Sequence, residues 1–316
     1  MNVAYDPSKK HPQILTLAII GVGLIGGSLS LALKAKHAVT RVVGVGRTRA
    51  NLDEALALGI IDAAVSIEEA ASADVIFVAT PVAQMPTVFA ALKPHLRANS
   101  VITDGGSTKQ DVIAAARAGL GEKFSQFVPA HPIAGTEKTG AAAAFATLYE
   151  KRKVVLCAET ETNSDALSRV TAMWRATGAE IHNMNAAEHD DVFAAVSHLP
   201  HLLAFALVDM LADMPRADTY FNYAASGFRD FTRIAAGSPE MWRDISAANR
   251  VALREQLSAY RARLDAFDAW LAHANAEDVV AIERAYTRAS EARRAWQRHI
   301  EHGEPMPKFS QGGQVE

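Results

Sequence analysis

Three groups of residues in this sequence have types and spacings that could do chemistry. The first is 21-GVGLIGGS-28, with Gly21, Gly23 and Gly26 and with Leu24 and Ile25 between them. It follows the apolar run 14-ILTLAII-20 and opens the helical stretch 28-SLSLALKAK-36. In that context it reads as a dinucleotide fingerprint. The first glycine allows a tight turn, the second lets the backbone approach a pyrophosphate, and the third lets helix and strand pack closely. The helix start then offers N–H groups and the positive end of its dipole to the phosphates. The second group lies in three loops: 79-ATPVAQM-85 with Thr80 and Pro81, 103-TDGGSTKQD-111 with Asp104, Ser107 and Lys109, and 129-PAHPIAGTEKTG-140 with His131 and Glu137. A histidine just past a strand end, near a hydride carrier, is a candidate general base. The third group lies in the C-terminal half: His189, His198, His201, Asp230, Arg233 and Trp242.

The elements that must position these residues are legible in outline. Apolar runs at 14–20, 42-VVGV-45, 75-VIFVA-79, 100-SVITD-104, 127-FVPA-130 and 153-KVVLC-157 are short, rich in Val and Ile, and bounded by Gly, Pro or Asp. They read as buried strands of a parallel sheet, with helices such as 49-RANLDEALALG-59 between them. A further strand is expected at 178–184. The fold class expected is α/β: a Rossmann-type doubly wound parallel sheet followed by an all-α C-terminal domain. The expected boundaries are 1–186, 187–302 and a tail over 303–316 without regular structure. The helical half begins with 187–214, which contains Pro200, and continues with two long helices over 239–300, broken near 272–278. Leu253, Leu257, Tyr260, Leu264, Phe267 and Leu271 form a coiled-coil-like stripe. That stripe either packs within its own domain or forms a homodimer seam.

Composition excludes several classes. The 316 residues carry a formal net charge of −3, unlike a general nucleic-acid binder. One cysteine, Cys157, rules out an intrachain disulfide and a multi-cysteine zinc site. No leader and no membrane-spanning run is expected, so the setting expected is cytoplasmic, without a membrane partner. The cofactor expected is NADP, with NAD as the alternative. The acid that binds a ribose in NAD sites falls roughly 20 residues past the fingerprint. Gly46 stands there, followed by Arg47 and Thr48. Absence of a carboxylate removes repulsion against a 2′-phosphate, and an arginine can pair with it.

In the helical half, His198 and His201 are three apart and share a helix face. Pro200 between them should kink the helix. His189 lies nine residues before His198, about half a turn off that face on a straight helix, and reaches the site only if the chain rotates it in. Arg233 suits a carboxylate through its bidentate fork, although Arg229, Arg243 and Arg250 are alternatives that spacing does not separate.

In order, the chain carries GxGxxGxS, DxxSxK, HPIAGTEKTG, SHLPH, FRDFTRIA and MWRDI. Over about Gly21 to Arg250 it resembles the prephenate/arogenate (cyclohexadienyl) dehydrogenases of tyrosine biosynthesis. The resemblance implies a small-molecule substrate, a cyclohexadienol with a ring carboxylate. Hydride leaves C4 for a nicotinamide and CO2 leaves the ring, with no metal. By resemblance, His131 accepts the C4 hydroxyl proton and Ser107 binds that hydroxyl or holds the imidazole. Glu137 stands at the cleft rim, as a gate or in side-chain recognition. Arg233 binds a substrate carboxylate. His201 and Trp242 line the pocket, His198 supports them, and His189 ranks lower. Some relatives fuse a chorismate mutase or an ACT domain, and neither is expected here. Two rivals remain. A β-hydroxyacid dehydrogenase or imine reductase would rely on a lysine in the helical half, yet none occurs between Ala187 and Ala236. A non-catalytic NADP sensor need not keep His131, Ser107 and Arg233 together.

Overall fold

The computed structural model describes residues 14–136 and 138–306. Among them are nine strands: β1 (Ile14–Ile20), β2 (Val39–Val45), β3 (Ala63–Ala64), β4 (Val75–Val78), β5 (Val101–Asp104), β6 (Phe127–Val128), β7 (Ala130–Pro132), β8 (Lys153–Leu156) and β9 (Glu180–Asn183). β1 to β6 form one parallel sheet in the order β3-β2-β1-β4-β5-β6. This is the doubly wound order, and its switch point lies between β1 and β4. Alternate residues feed two cores, one on each face. Leu17, Ile19 and Phe77 join the first, and Ala18, Ile20, Ile76 and Val78 join the second.

Two expectations for the sheet need correction. The run 127–130 is not one strand. Pro129 divides it, β6 ends the parallel sheet, and β7 pairs antiparallel with β8. β8 in turn pairs parallel with β9, so 153–157 and 178–184 belong to a separate three-stranded sheet. A proline has no N–H for a ladder, which makes it a natural break between two sheets.

The helical half carries a break that its sequence pattern does not mark. The change of architecture falls near residue 186, yet the chain parts into two compact units after Leu253. Before that point, His189, Asp190, His198 and Glu240 bond the helical segments to the sheet domain. The helix expected from 239 breaks at Asn249, giving Pro239–Ala248 and Arg250–His273. Asn249 turns its side chain inward, donating to the Asp190 carbonyl at 2.7 Å. In the second unit, the helix Ala276–His302 starts with a capping box of Asn275 and Asp278. Phe267 of the stripe stacks on Tyr286, with ring centroids 5.5 Å apart, while Leu264 and Leu271 stay exposed. Of the segment 303–316, residues 307–316 lie outside the described residues.

Residues 186–212 run as consecutive helical segments, by length and composition alone long and apolar enough to cross a membrane. No run of that kind was expected. One side of the segment carries the buried polar residues His189, Asp190 and His198, bonded to the sheet domain and to Asn249. Its apolar residues Leu202, Leu203, Phe205 and Leu207 are half-buried.

Candidate active site

The glycine loop follows β1 at the switch point and meets the loop after β4. Gly21 has φ of +96°, and a Cβ there would lie 2.6 Å from the Ala79 carbonyl oxygen. At Gly26 a Cβ would lie 2.5 Å from the Gly21 oxygen and 2.6 Å from Ile19 Cγ2. Gly23 differs, because nothing lies within 4 Å of its Cβ position. Two glycines are thus demanded by the protein itself, and the third leaves open space beside the helix start. Gly23 caps the helix Leu24–Ala35 without a side-chain hydrogen bond, and the first turn holds no acid. Leu24 buries its side chain in the core, and the Tyr149 hydroxyl donates to the Ile25 carbonyl at 2.6 Å, so both offer the cleft backbone rather than side chain. Thr80 Oγ1 is buried with no hydrogen-bond partner among the described residues. A bare helix N-terminus, open space at Gly23 and an unsatisfied hydroxyl beside Pro81 fit a dinucleotide.

At the end of β2, Arg47 is exposed and its Nη1 lies 3.5 Å from Glu240 Oε1, on the helix Pro239–Ala248. Thr48 caps the helix Arg49–Ala57, accepting from the Asn51 N–H at 3.4 Å.

His131 sits in the middle of β7, half-buried, where β7 pairs with β8. The start of that strand is clamped to the end of β5. Asp104 accepts from the Ala130 N–H at 2.9 Å and from the Gly106 N–H at 2.8 Å, and it pairs with the Lys109 ammonium. Lys109 Nζ also donates to the Ala130 carbonyl at 2.9 Å. Asp104 and Lys109 are fully buried, so their work is to hold the loop and the strand together. Breaking one partner of such a pair leaves an uncompensated buried charge.

Behind His131 stands His189. His131 Nδ1 is 2.8 Å from His189 Nε2, and His189 Nδ1 is 2.8 Å from Asp190 Oδ1. Asp190 Oδ1 also accepts from the Lys109 N–H at 2.8 Å, and Oδ2 from the Gln110 N–H at 2.9 Å. His189 is fully buried against His131 and Phe193. The sequence expectation set His189 among the substrate contacts, whereas the structure places it behind His131 and away from solvent. The rotation it needed comes from a π-helical turn at Ala194–His198, just before Pro200. Pro200 has no N–H for the carbonyl four residues earlier, and its ring crowds that carbonyl, so a wider turn is the local solution. The extra residue shifts the helix phase by about 100°, which brings His189 and His198 inside together.

His198 is 2% exposed. Asn249 Nδ2 donates to its Nδ1 at 3.1 Å, and the ring also bonds to the backbone of Ser107. His198 therefore ties the half-buried Ser107 to the helical segments. His201 Nδ1 donates to the Ser197 carbonyl at 2.8 Å, and the ring stacks on Trp242 at 3.5 Å and 20°. The Arg233 guanidinium is near enough to lower the basicity of His201. Trp242, His201 and Arg233 thus come together. Of the other arginines, Arg229 pairs with its neighbour Asp230 at 3.4 Å in solvent, and Arg243 pairs with the buried Asp244 at 2.6 Å. Glu137 lies outside the described residues.

Burial holds the site histidines neutral. It pushes the His131 pKa well below 6.5, helped by His189, Lys109 and His198. It lowers His189 despite the opposing Asp190 hydrogen bond, lowers His198 to about 4, and lowers His201. Asp190 goes the other way from burial. Desolvation would raise it, yet the bonds from His189 and the two backbone N–H groups leave it below the usual carboxylate value. A neutral imidazole at a sheet-domain edge, with a cationic and aromatic cluster nearby, can accept a proton from a bound alcohol. Sequence reasoning missed Asp190 and Asn249. Asp190 had one signal, an acid adjoining a helical histidine in 188-EHDD-191, and Asn249 had none.

Known proteins similar to this chain identify its family. Residues 29–183 match the family model "Prephenate dehydrogenase, nucleotide-binding domain", and residues 185–284 match "Prephenate dehydrogenase, dimerization domain". The chain is 36% identical over 260 residues to a prephenate dehydrogenase of Bacillus subtilis, covering 81% of this chain and 67% of that protein. It is 36% identical over 252 residues to a cyclohexadienyl dehydrogenase of Zymomonas mobilis, covering 78% and 85%. Among solved structures, the prephenate dehydrogenase of Aquifex aeolicus, in complex with hydroxyphenyl propionate and NAD+, superposes with a TM-score of 0.80. It shares 34% identity and covers 88% of this chain and 98% of that one. Two adjoining family models that together cover most of residues 29–284, and relatives above one-third identity, place this chain in the prephenate dehydrogenase family.

Proposed function

We propose that this protein catalyses the oxidative decarboxylation of prephenate to 4-hydroxyphenylpyruvate, of arogenate to tyrosine, or of both, in tyrosine biosynthesis. The observation that carries the reading is His131: a neutral, half-buried imidazole at the sheet-domain edge, linked through His189, Asp190, Asn249 and His198 to Trp242, whose ring lies 6.3 Å from that of His198 and stacks on His201. The nicotinamide, when bound, supplies the hydride acceptor. His131 takes the C4 hydroxyl proton as the C4 hydrogen leaves with its electron pair. The ring–carboxylate bond breaks, its electrons complete the aromatic ring, and the proton returns to the phenol oxygen. Net proton count is unchanged. Ser107 orients the same hydroxyl, and Arg233 grips a carboxylate through its fork. His201 and Trp242 form a flat wall beside it. Aromatisation drives the step, so positioning and charge stabilisation are the protein's task. Glu137 is proposed at the rim.

Gly21, Gly23, Leu24, Ile25 and Gly26 would cradle the pyrophosphate, and Thr80 and Pro81 would border the nicotinamide. NADP is the proposed cofactor, supported by Gly46 in place of an acid and by the exposed Arg47 and Thr48. Arg47 would exchange Glu240 for the 2′-phosphate. The Aquifex relative was solved with NAD+, so NAD is the competing choice. A homodimer is proposed from the family model over 185–284 and from the half-buried apolar side of the helix Leu199–Ala212. Its location is proposed as cytoplasmic, where the cofactor pool is. The test mixes purified protein with prephenate or arogenate and with NADP or NAD, following reduced-nicotinamide absorbance. Turnover in one combination settles substrate and cofactor together. No turnover in any, from folded protein that binds a dinucleotide, overturns the proposal. His131→Ala should lower kcat by about 100–10,000-fold.

A further inference from the structure

We infer that His189 and Asp190 are positioning residues that set the tautomer of His131, leaving its Nε2 as the bare nitrogen that meets substrate. The inference deepens the reading of His131 as proton acceptor and rests on it.

The argument starts at the helix Gln110–Leu120. Asp190 accepts from the Lys109 and Gln110 N–H groups, at 2.8 and 2.9 Å, at the start of that helix. Two backbone donors and the positive end of a helix dipole favour the ionised carboxylate. An ionised carboxylate only accepts. The proton in the 2.8 Å contact between Asp190 and His189 therefore sits on His189 Nδ1. Burial keeps His189 neutral, so its Nε2 is bare. That nitrogen lies 2.8 Å from His131 Nδ1, so His131 must donate there. His131, also neutral, then has its lone pair on Nε2. A direct carboxylate would fix the same tautomer but would raise the basicity of His131. An interposed neutral histidine gives the orientation and keeps the negative charge one ring away. The remaining groups that bear on His131 are Lys109, whose charge is matched by buried Asp104, and neutral His198. When Nε2 takes the substrate proton, the imidazolium keeps its Nδ1–H bond to His189, and no rearrangement is needed.

Three variants and one spectroscopic measurement test this: His189→Gln, His189→Leu and Asp190→Asn, with kcat, both KM values, dinucleotide affinity and Tm for each. Glutamine can still accept the His131 Nδ1–H through its amide oxygen, and leucine cannot. His189→Leu and Asp190→Asn should lower kcat by about 100-fold or more, as loss of tautomer control does in other histidine sites, with KM changed less than about threefold. His189→Gln should recover most of that loss and flatten any pH dependence that His189 contributes. Nitrogen NMR of the wild type should show His131 protonated at Nδ1 and bare at Nε2, and should show mixed tautomers in Asp190→Asn. Wild-type kcat in His189→Leu would overturn the inference. So would equal loss of kcat, affinity and Tm in all three variants, glutamine included. The tautomer measurement needs no turnover, so a wild type inactive on prephenate and arogenate would remove the reaction reading while the spectrum still decides on the relay.

Discussion

Acid should destabilise the unit that carries the site, and His198 should account for a measurable share. His198 is 2% exposed and receives a hydrogen bond from Asn249 Nδ2 at 3.1 Å, so it is held neutral, with its proton on Nε2. Burial lowers its pKa from 6.5 to about 4. In the unfolded chain a histidine titrates near 6.5. The folded value lies below the unfolded one, so protonation favours the unfolded chain. Stability is therefore intact above pH 6.5, falls as pH drops from 6.5 toward 4, and levels off below. The full shift corresponds to about 3 kcal/mol, and about 2 kcal/mol of it is lost by pH 5. His131, His189 and His201 shift in the same direction and steepen the total. The assay is urea unfolding near pH 7.5 and near pH 5, at fixed ionic strength and protein concentration, for wild type and His198→Asn. The asparagine oxygen can keep the Asn249 bond, and any baseline destabilisation cancels between the two pH values. The wild type should lose about 2 kcal/mol more than the variant. Equal losses would refute the reasoning, because His198 would then titrate near its free value and could not be buried as described.

Three further outcomes follow from contacts already given. Gly26→Ala should lower both Tm and dinucleotide affinity, since its methyl would meet the Gly21 oxygen at 2.5 Å, while Gly23→Ala should lower affinity alone. Normal binding by Gly23→Ala would remove that glycine from the pyrophosphate site. Arg47→Ala should lower kcat/KM for NADP by about tenfold or more and spare NAD, and Glu240→Gln should favour NADP by freeing Arg47. A ratio unmoved by both would place the 2′-phosphate elsewhere. Arg233→Ala should raise the substrate KM by about 10- to 100-fold, the range of a charge-assisted hydrogen bond, with little change in the cofactor KM. Equal effects on both would make Arg233 structural.

The parts of this molecule that were legible in its sequence are those set by local pattern. β4, β5 and the last four residues of β1 are buried on both faces, so each reads as a short, largely apolar run, and the glycine loop carries its own spacing. The split of 127–130 at Pro129 was not legible, because apolar residues flank the proline on both sides and β7 is only three residues long. The site was half legible for a related reason. His131, Ser107, His201 and Arg233 could be named through the motifs that carry the family resemblance, but what holds them lies in bonds between distant residues, such as Lys109 to Asp190, 81 positions apart. Two departures from regular helix make those bonds possible. The π turn at Ala194–His198 rotates His189 and Asp190 inward, and the break at Asn249 frees an amide to reach both Asp190 and His198. On a regular helix, 188-EHDD-191 reads as a solvated face, and Asn249 reads as one more residue of a long helix. A period of 3.6 carries no mark of one inserted residue or of an inward-turned cap. The same irregularities gather the buried polar groups, since a regular amphipathic helix would have no reason to turn an acid and two histidines toward its core. In this protein, helical register is lost where the chemistry is assembled, and the two losses are one structural fact.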